Sequence, residues 1–382
     1  MKHIDTRLAI LLLLAVGAAG CTNPHRIVGP TYSAEGPPFK VTQREEATEP
    51  FALNQRLLLI GDAGLFLDDD PTLARLGAWS RDAANSTVLF LGDNLYNEGL
   101  VDDDRERGER VLAQQLAATS ARKILVPGNH DWGLFEMRES SIENQQAFVA
   151  EWQDGSAEFV PRDGCMGPVV RRVGGGGSAR AVTLVLLDPT PIILENPSIG
   201  CAGKNDLDSH VAALDAILAE HEDDWLVVAS HYPLETGGPH GGLSYGSWLV
   251  DGLLNIVRFW AGGAGDTYDE GYSEWITAVT KVMRKHPPEV YAAGHDHNLQ
   301  VLAGNEYAGV EVVSGAGAKD RVSSVTHLPN TLFAHAAMGF VVLDFGTREG
   351  ADVAVLRVVE AQANSPVFEM DLPTGRPSAG EP

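Results

Sequence analysis

Asp93 and Tyr96 stand on one short stretch, Gly92-Asp93-Asn94-Leu95-Tyr96, directly after the apolar run Val88-Leu89-Phe90-Leu91. A carboxylate and a phenol on one turn are both oxygen donors. Phenolate is a hard ligand suited to a highly charged ion such as Fe(III), whereas Zn(II) sites are usually filled by His, Cys and carboxylate. The pair therefore asks for further donors, and four other stretches supply them. Leu57-Leu58-Leu59-Ile60 leads into Gly61-Asp62-Ala63-Gly64, and Ile124-Leu125-Val126 into Pro127-Gly128-Asn129-His130-Asp131. Trp225-Leu226-Val227-Val228 leads into Ser230-His231, and Tyr291-Ala292-Ala293 into Gly294-His295-Asp296-His297. Any one of these residues alone reads more simply as a turn former, a helix cap or a satisfied polar group. Their joint order, with mutually consistent roles, is what points to a metal centre.

The elements that position them follow from the same runs. Short apolar runs closed by glycine and polar residues read as buried strands. Donors just beyond the carboxyl ends of adjacent strands converge, as ligands do in open α/β sheets. Between the strands, residues 71–84 carry Leu73, Leu76 and Trp79 at helical spacing, and residues 105–119 carry Val111, Leu112 and Leu116. Residues 206–221 predict the clearest helix, capped by Asp206, with Leu207, Val211, Leu214 and Leu218 as its apolar stripe. This alternation predicts an α/β domain with helices covering sheets. From about residue 310 the pattern turns to strands (310–313, 340–345, 353–359 and 367–372), for which a second, largely antiparallel sheet is expected. Gly174 to Gly177 reads as a loop between strands, because no helix with a Lys-Ser or Lys-Thr pair follows it.

The chain has 382 residues and a formal net charge of −24. So acidic a surface argues against nucleic acid as a partner, since binding it relies on Lys and Arg at the phosphates. It also repels anionic substrates, so a phosphate site would need local positive charge, which metal ions supply. Lys2 and Arg7 precede the apolar residues 8–16, then Gly17-Ala18-Ala19-Gly20 and Cys21. That order matches a secretory signal over residues 1–20, and Ala18-Ala19-Gly20-Cys21 resembles a bacterial lipobox. Export is expected, with a lipid anchor at Cys21 holding the chain to the bacterial cell envelope. Residues 21–54, rich in proline, then form the tether. Cys165 and Cys201 remain, and the sequence leaves open whether they pair or stay as free buried thiols.

Taken together, Asp62-x-Gly64, Gly92-Asp93-x-x-Tyr96, Gly128-Asn129-His130, Val228-x-x-His231 and Gly294-His295-x-His297 resemble the five motifs of the purple acid phosphatases, which are calcineurin-like metallophosphoesterases. Gly294-His295-Asp296-His297-Asn298-Leu299-Gln300 and Ser314-Gly315-Ala316-Gly317 look most similar to the small tartrate-resistant branch. The resemblance covers roughly residues 55–372, followed by a mobile tail over 373–382. It implies a four-layer α/β/β/α sandwich of two mixed sheets flanked by helices. It further implies that Asp62, Tyr96 and His297 bind Fe(III), that Asn129, His231 and His295 bind a divalent ion (Fe, Zn or Mn), and that Asp93 bridges the two. The wider superfamily often has histidine where this chain has Gly64, and Tyr96 fills that vacancy.

Charge counting agrees with this assignment. Three anionic donors, Asp62, Asp93 and Tyr96, offset part of a trivalent and divalent pair and leave about two positive charges for a phosphate dianion and a hydroxide. The expected reaction is in-line displacement at phosphorus by metal-activated hydroxide, with a phosphate monoester as substrate. His130 and His240 are the candidates for protonating the leaving alkoxide. A dinuclear phosphodiesterase or nucleotide hydrolase is the alternative enzyme, and a phosphate- or metal-binding surface lipoprotein the non-enzymatic one. A monomer is expected. His210, His221, His286, His327 and His335 read as surface or structural. Residues 243–272 look inserted relative to short family members, and Trp248, Leu249, Leu253, Ile256, Val257 and Trp260 give them roughly helical spacing.

Overall fold

Leu57, Leu58, Leu59 and Ile60 are all fully buried in the computed structural model, although successive side chains of a strand point to opposite faces. Both faces of their sheet are therefore covered. The structure describes residues 31–32, 51–81, 85–133, 136–152, 155–174, 180–241, 267, 269–318 and 322–373. In chain order the strands are β1 (Thr31–Tyr32), β2 (Ala52–Ile60), β3 (Ser86–Leu91), β4 (Arg122–Val126), β5 (Ala157–Phe159), β6 (Val169–Gly174), β7 (Val182–Leu186) and β8 (Trp225–Ala229). They continue as β9 (Val290–Ala293), β10 (Leu299–Asn305), β11 (Ala308–Ser314), β12 (Thr331–His335), β13 (Gly339–Arg348), β14 (Ala351–Glu360) and β15 (Phe368–Asp371). The helices are α1 (Pro71–Arg81), α2 (Arg105–Ala117), α3 (Glu139–Ala150), α4 (Thr190–Ile193), α5 (Leu207–Glu220) and α6 (Glu270–Met283).

Two mixed sheets result, one of seven strands in the order β15-β14-β13-β2-β3-β4-β5 and one of eight in the order β1-β12-β10-β11-β9-β8-β7-β6. Leu57, Leu59, Leu89 and Val126 face Leu184, Val227, Val290 and Val312 across the sheet-to-sheet core. Their neighbours Leu58, Ile60, Val88 and Leu125 pack instead against Leu76 of α1, Val111 and Leu112 of α2 and Ile142 of α3. On the far side, Leu226, Val228 and Tyr291 meet Leu214 and Leu218 of α5 and Trp275 and Val279 of α6. The layers are thus helix, sheet, sheet, helix, as the resemblance implies.

One expectation is overturned. The strands after residue 310 do not make a second sheet of their own. β11 joins the eight-stranded sheet parallel to β9, while β13 pairs antiparallel with β2 and carries β14 and β15 outward in the seven-stranded sheet. β13 can take that inner place because both its faces are apolar. Val341 and Leu343 turn to the sheet-to-sheet core, and Phe340 and Val342 to the helices.

Asp206 caps α5, its carboxylate accepting from Ser209 N at 2.8 Å. The buried line of that helix is His210, Leu214 and Leu218, with Leu207 and Val211 only partly covered. Cys165 and Cys201 are joined in a disulfide. Residues 1–30, including the signal-like segment and Cys21, lie outside the described residues, as do most of the inserted segment (242–266) and the tail from 374.

Candidate metal centre

Asp62, Asp93, His231 and His295 each sit two residues beyond the end of a strand, β2, β3, β8 and β9 respectively, and Asn129 sits three beyond β4. β2, β3 and β4 run parallel, as do β8 and β9, so all five positions fall at the carboxyl ends. Asp62, Asp93 and His295 adopt φ of 60°, 52° and 68°, a left-handed conformation uncommon outside glycine. Such conformations persist where surrounding contacts impose them. Here Asp62 N donates to Gly92 O at 2.9 Å and Tyr96 N to Gly64 O at 3.1 Å, while His295 N donates to Asp62 Oδ2 at 2.8 Å. The turns hold one another.

Two groups of donors form. In the first, the Tyr96 hydroxyl donates to Asp62 Oδ1 at 2.9 Å and lies 3.2 Å from His297 Nε2, which is 3.3 Å from Asp62 Oδ1. In the second, His231 Nε2 lies 3.0 Å from Asn129 Oδ1 and 3.1 Å from His295 Nδ1. Asp93 reaches both. Its Oδ1 is 3.5 Å from His231 Nε2, and Asp62, Asp93 and His297 offer ligand atoms within 4.8 Å of one another. All seven side chains are buried except that of His297, which is partly covered. His130 N donates to Asp93 Oδ1 at 2.9 Å.

The donor set fits metal ions. His231 Nδ1 lies 2.8 Å from Leu91 O, a pure acceptor, so Nδ1 carries the proton and Nε2 keeps its lone pair. That lone pair meets the Asn129 carboxamide oxygen and the Asp93 carboxylate, acceptors facing an acceptor in a buried space. A cation among them turns this repulsion into attraction. Gly64 shows why the histidine of the wider superfamily has no place here. A Cβ at that position would lie 2.7 Å from Asp93 O and 2.8 Å from Leu95 N, so the turn leading to Tyr96 packs directly on the glycine.

His130 and His240 reach the same centre. His130 Nδ1 lies 2.6 Å from Asn97 O, which places the proton on Nδ1 and leaves Nε2 toward the centre, 3.8 Å from Asp93 Oδ2. His240 stacks on His295 with ring centroids 3.9 Å apart. Among the described residues, four other histidines lie in side-chain or backbone contacts elsewhere: His210 with Gly167 O, His221 with Asp224, His286 with Asp215 and His335 with Glu360. His327 is exposed.

Two carboxylates that tie the site together carry no assigned role in the sequence reading. Asp131, fully buried, accepts from Gly128 N at 2.8 Å, Asn94 N at 3.1 Å, Asn94 Nδ2 at 3.0 Å and Leu95 N at 3.1 Å. It thereby fastens the Asp93–Tyr96 turn to the Asn129 turn. Burial, with Asp93 close by, pushes its carboxyl well above the ordinary range. Asp296 does the same for the loop after His231, accepting from Thr236 Oγ1 and His240 N. The available signal was position, since each is an acidic residue directly following a candidate donor or histidine where the chain must turn.

Fold and donors together define an α/β/β/α sandwich with a candidate metal centre at the strand ends of both sheets. The sequence model of one family, Calcineurin-like phosphoesterase, matches residues 55–299. The chain belongs to that family, whose members are hydrolases acting on phosphate esters. Among solved structures, "GAP50 the anchor in the inner membrane complex of Plasmodium" is similar over 86% of this chain and 91% of its own, with TM-score 0.57 at 15% identity. A dimetal phosphatase from Danio rerio is similar over 84% of this chain and 99% of its own, with TM-score 0.47 at 16% identity. PhoD is similar over 86% and 74% respectively, with TM-score 0.46 at 13% identity. At such identities the likeness concerns the fold. No curated protein matched the sequence.

Proposed function

We propose that the chain is an exported acid phosphatase that hydrolyses phosphate monoesters at a dinuclear centre of Fe(III) and a divalent ion, Fe, Zn or Mn. The observation that carries this reading is the Tyr96 hydroxyl, fixed between Asp62 Oδ1 and His297 Nε2. A phenol, a carboxylate and an imidazole at one point make a donor set for a hard, highly charged ion. Asp62, Tyr96 and His297 would hold Fe(III), Asn129, His231 and His295 the divalent ion, and Asp93 both. When bound, the pair supplies Lewis acidity at the phosphoryl oxygens and makes water more acidic.

The chain's own residues do the rest. His130, with Nδ1–H committed to Asn97 O, presents Nε2 to the centre and delivers a proton to the leaving alkoxide. Asp93 Oδ2 lies 3.8 Å from that nitrogen. His240, stacked on His295, is the second histidine on the substrate side. Export and lipidation at Cys21 belong to the same proposal, supported by the basic, apolar and small-residue order before Cys21. The Cys165–Cys201 disulfide also suits an oxidising compartment. Among the described residues no helix is long and apolar enough to cross a membrane.

The test is the visible spectrum of the purified protein with metal analysis, followed by hydrolysis of a chromogenic monoester and diester. A tyrosinate-to-Fe(III) band with preference for the monoester is expected. A metal-replete oxidised sample without the band would refute Fe(III) at Tyr96, and preference for the diester would replace the substrate class.

A further inference from the structure

His240 lies in a loop rich in glycine, Thr236-Gly237-Gly238-Pro239-His240-Gly241, whose side chains contribute little to fix its course. Its path is set instead by buried polar groups, Thr236 at the start of the loop and two others from the turn after β9 and from β10. Thr236, Asp296 and Gln300 are all at most 4% exposed. The Thr236 hydroxyl donates to Asp296 Oδ2 at 2.5 Å and accepts from Gln300 Nε2 at 2.8 Å and Gly238 N at 3.0 Å. A hydroxyl has one proton and two lone pairs, so its capacity is filled. Asp296 Oδ1 then accepts from His240 N at 3.2 Å, and Gln300 Oε1 from Gly237 N at 2.9 Å. On the far side His240 O accepts from Thr267 N and Oγ1, each at 3.1 Å. A Cβ at Gly238 would lie 2.3 Å from Asp296 Cγ, so the loop can approach that carboxylate only as glycine.

We propose that Thr236, Asp296 and Gln300 form a latch that registers His240 to the metal centre, with Thr236 as the positioning residue that closes it. Asp296 stands between His295 and His297, so the carboxylate that fixes the loop belongs to the same turn as two candidate metal ligands. The latch converts a glycine loop with several possible courses into one that stacks His240 on His295. The Thr236 hydroxyl is engaged by Asp296, Gln300 and Gly238 rather than by a candidate metal ligand, and its effect on turnover passes through His240. This inference rests on the proposed role of His240 at the substrate side.

The test compares His240→Ala, Thr236→Val, Thr236→Ser and the double variant His240→Ala/Thr236→Val as metal-loaded full chains. The readouts are kcat on a chromogenic phosphate monoester, metal content, and amide hydrogen exchange over residues 234–241. Thr236→Val is expected to lower kcat by about tenfold or more, to speed exchange in that segment and to leave metal content unchanged. Thr236→Ser, which keeps the hydroxyl, restores both. In the His240→Ala background Thr236→Val costs nothing further. Should Thr236→Val not fold, Thr236→Ala carries the same comparison. If His240→Ala leaves kcat intact, the role of His240 is wrong. If His240→Ala lowers kcat while Thr236→Val does not, or the two losses multiply, the latch is wrong and the role of His240 stands.

Discussion

At the scale of single residues, the proposed function divides the centre into groups that hold charge and groups that move a proton. His130 belongs to the second kind, since its Nε2 approaches Asp93 Oδ2 only at 3.8 Å while its Nδ1 is committed to a backbone carbonyl. His130→Ala is expected to lower kcat by about 10²–10⁴-fold with metal content little changed, as measured by steady-state kinetics beside metal analysis. Tyr96 belongs to the first kind. Tyr96→Phe keeps the buried ring and deletes only the oxygen, so the fold should persist while the visible band disappears, a comparison made by circular dichroism and absorption on the same sample. These residues were legible in the sequence because each follows a recognisable strand at a short, regular offset. Asp131 and Asp296 were harder to assign, because a carboxylate that accepts backbone N–H groups from a distant turn leaves no spacing of its own.

At the scale of elements, the strand–turn units are the working parts. The β2, β3 and β9 runs were readable as strands because burial on both faces makes them continuously apolar. The destination of the strands after residue 310 was not readable, since the same both-face burial that lets β13 pair with β2 says nothing about which neighbour it chooses. Helix boundaries came within a few residues, and α5 differed only in turning His210 inward with Leu214 and Leu218. The turns are less tolerant than the strands. Gly64→His, which would supply the imidazole common in the wider superfamily, is expected to lose metal rather than gain a ligand. Its Cβ would meet Asp93 O at 2.7 Å, and metal content after dialysis against a chelator is the measurement.

At the scale of the whole molecule, two linkages should be visible. Burial raises the Glu311 carboxyl to about 8 from an ordinary 4.5. Its Oε1 accepts from Leu234 N and Glu235 N. Between those values the folded chain keeps a proton that the unfolded chain has released, so stability falls as pH rises through that window. Glu311→Gln should remove a pH-dependent loss on the order of a few kcal/mol, read from denaturant midpoints at several pH values. Asp188, raised by burial to about 6, adds a slope of the same sign between its ordinary 3.8 and that value. The second linkage is to metal, since ions bound only by the folded chain stabilise it. Chelation should lower the melting temperature, as followed by calorimetry.

The centre draws Asp62, Asp93, Tyr96 and Asn129 from the turns of one sheet and His231, His295 and His297 from the other. This division has a consequence for biosynthesis. A nascent chain that has emerged only as far as α5 carries four donors and a β2 still lacking its β13 neighbour. Metal capture must therefore come late, after nearly the whole chain is available. Capture is thereby tied to completion of both sheets, so a chain truncated before β9 should hold no metal pair.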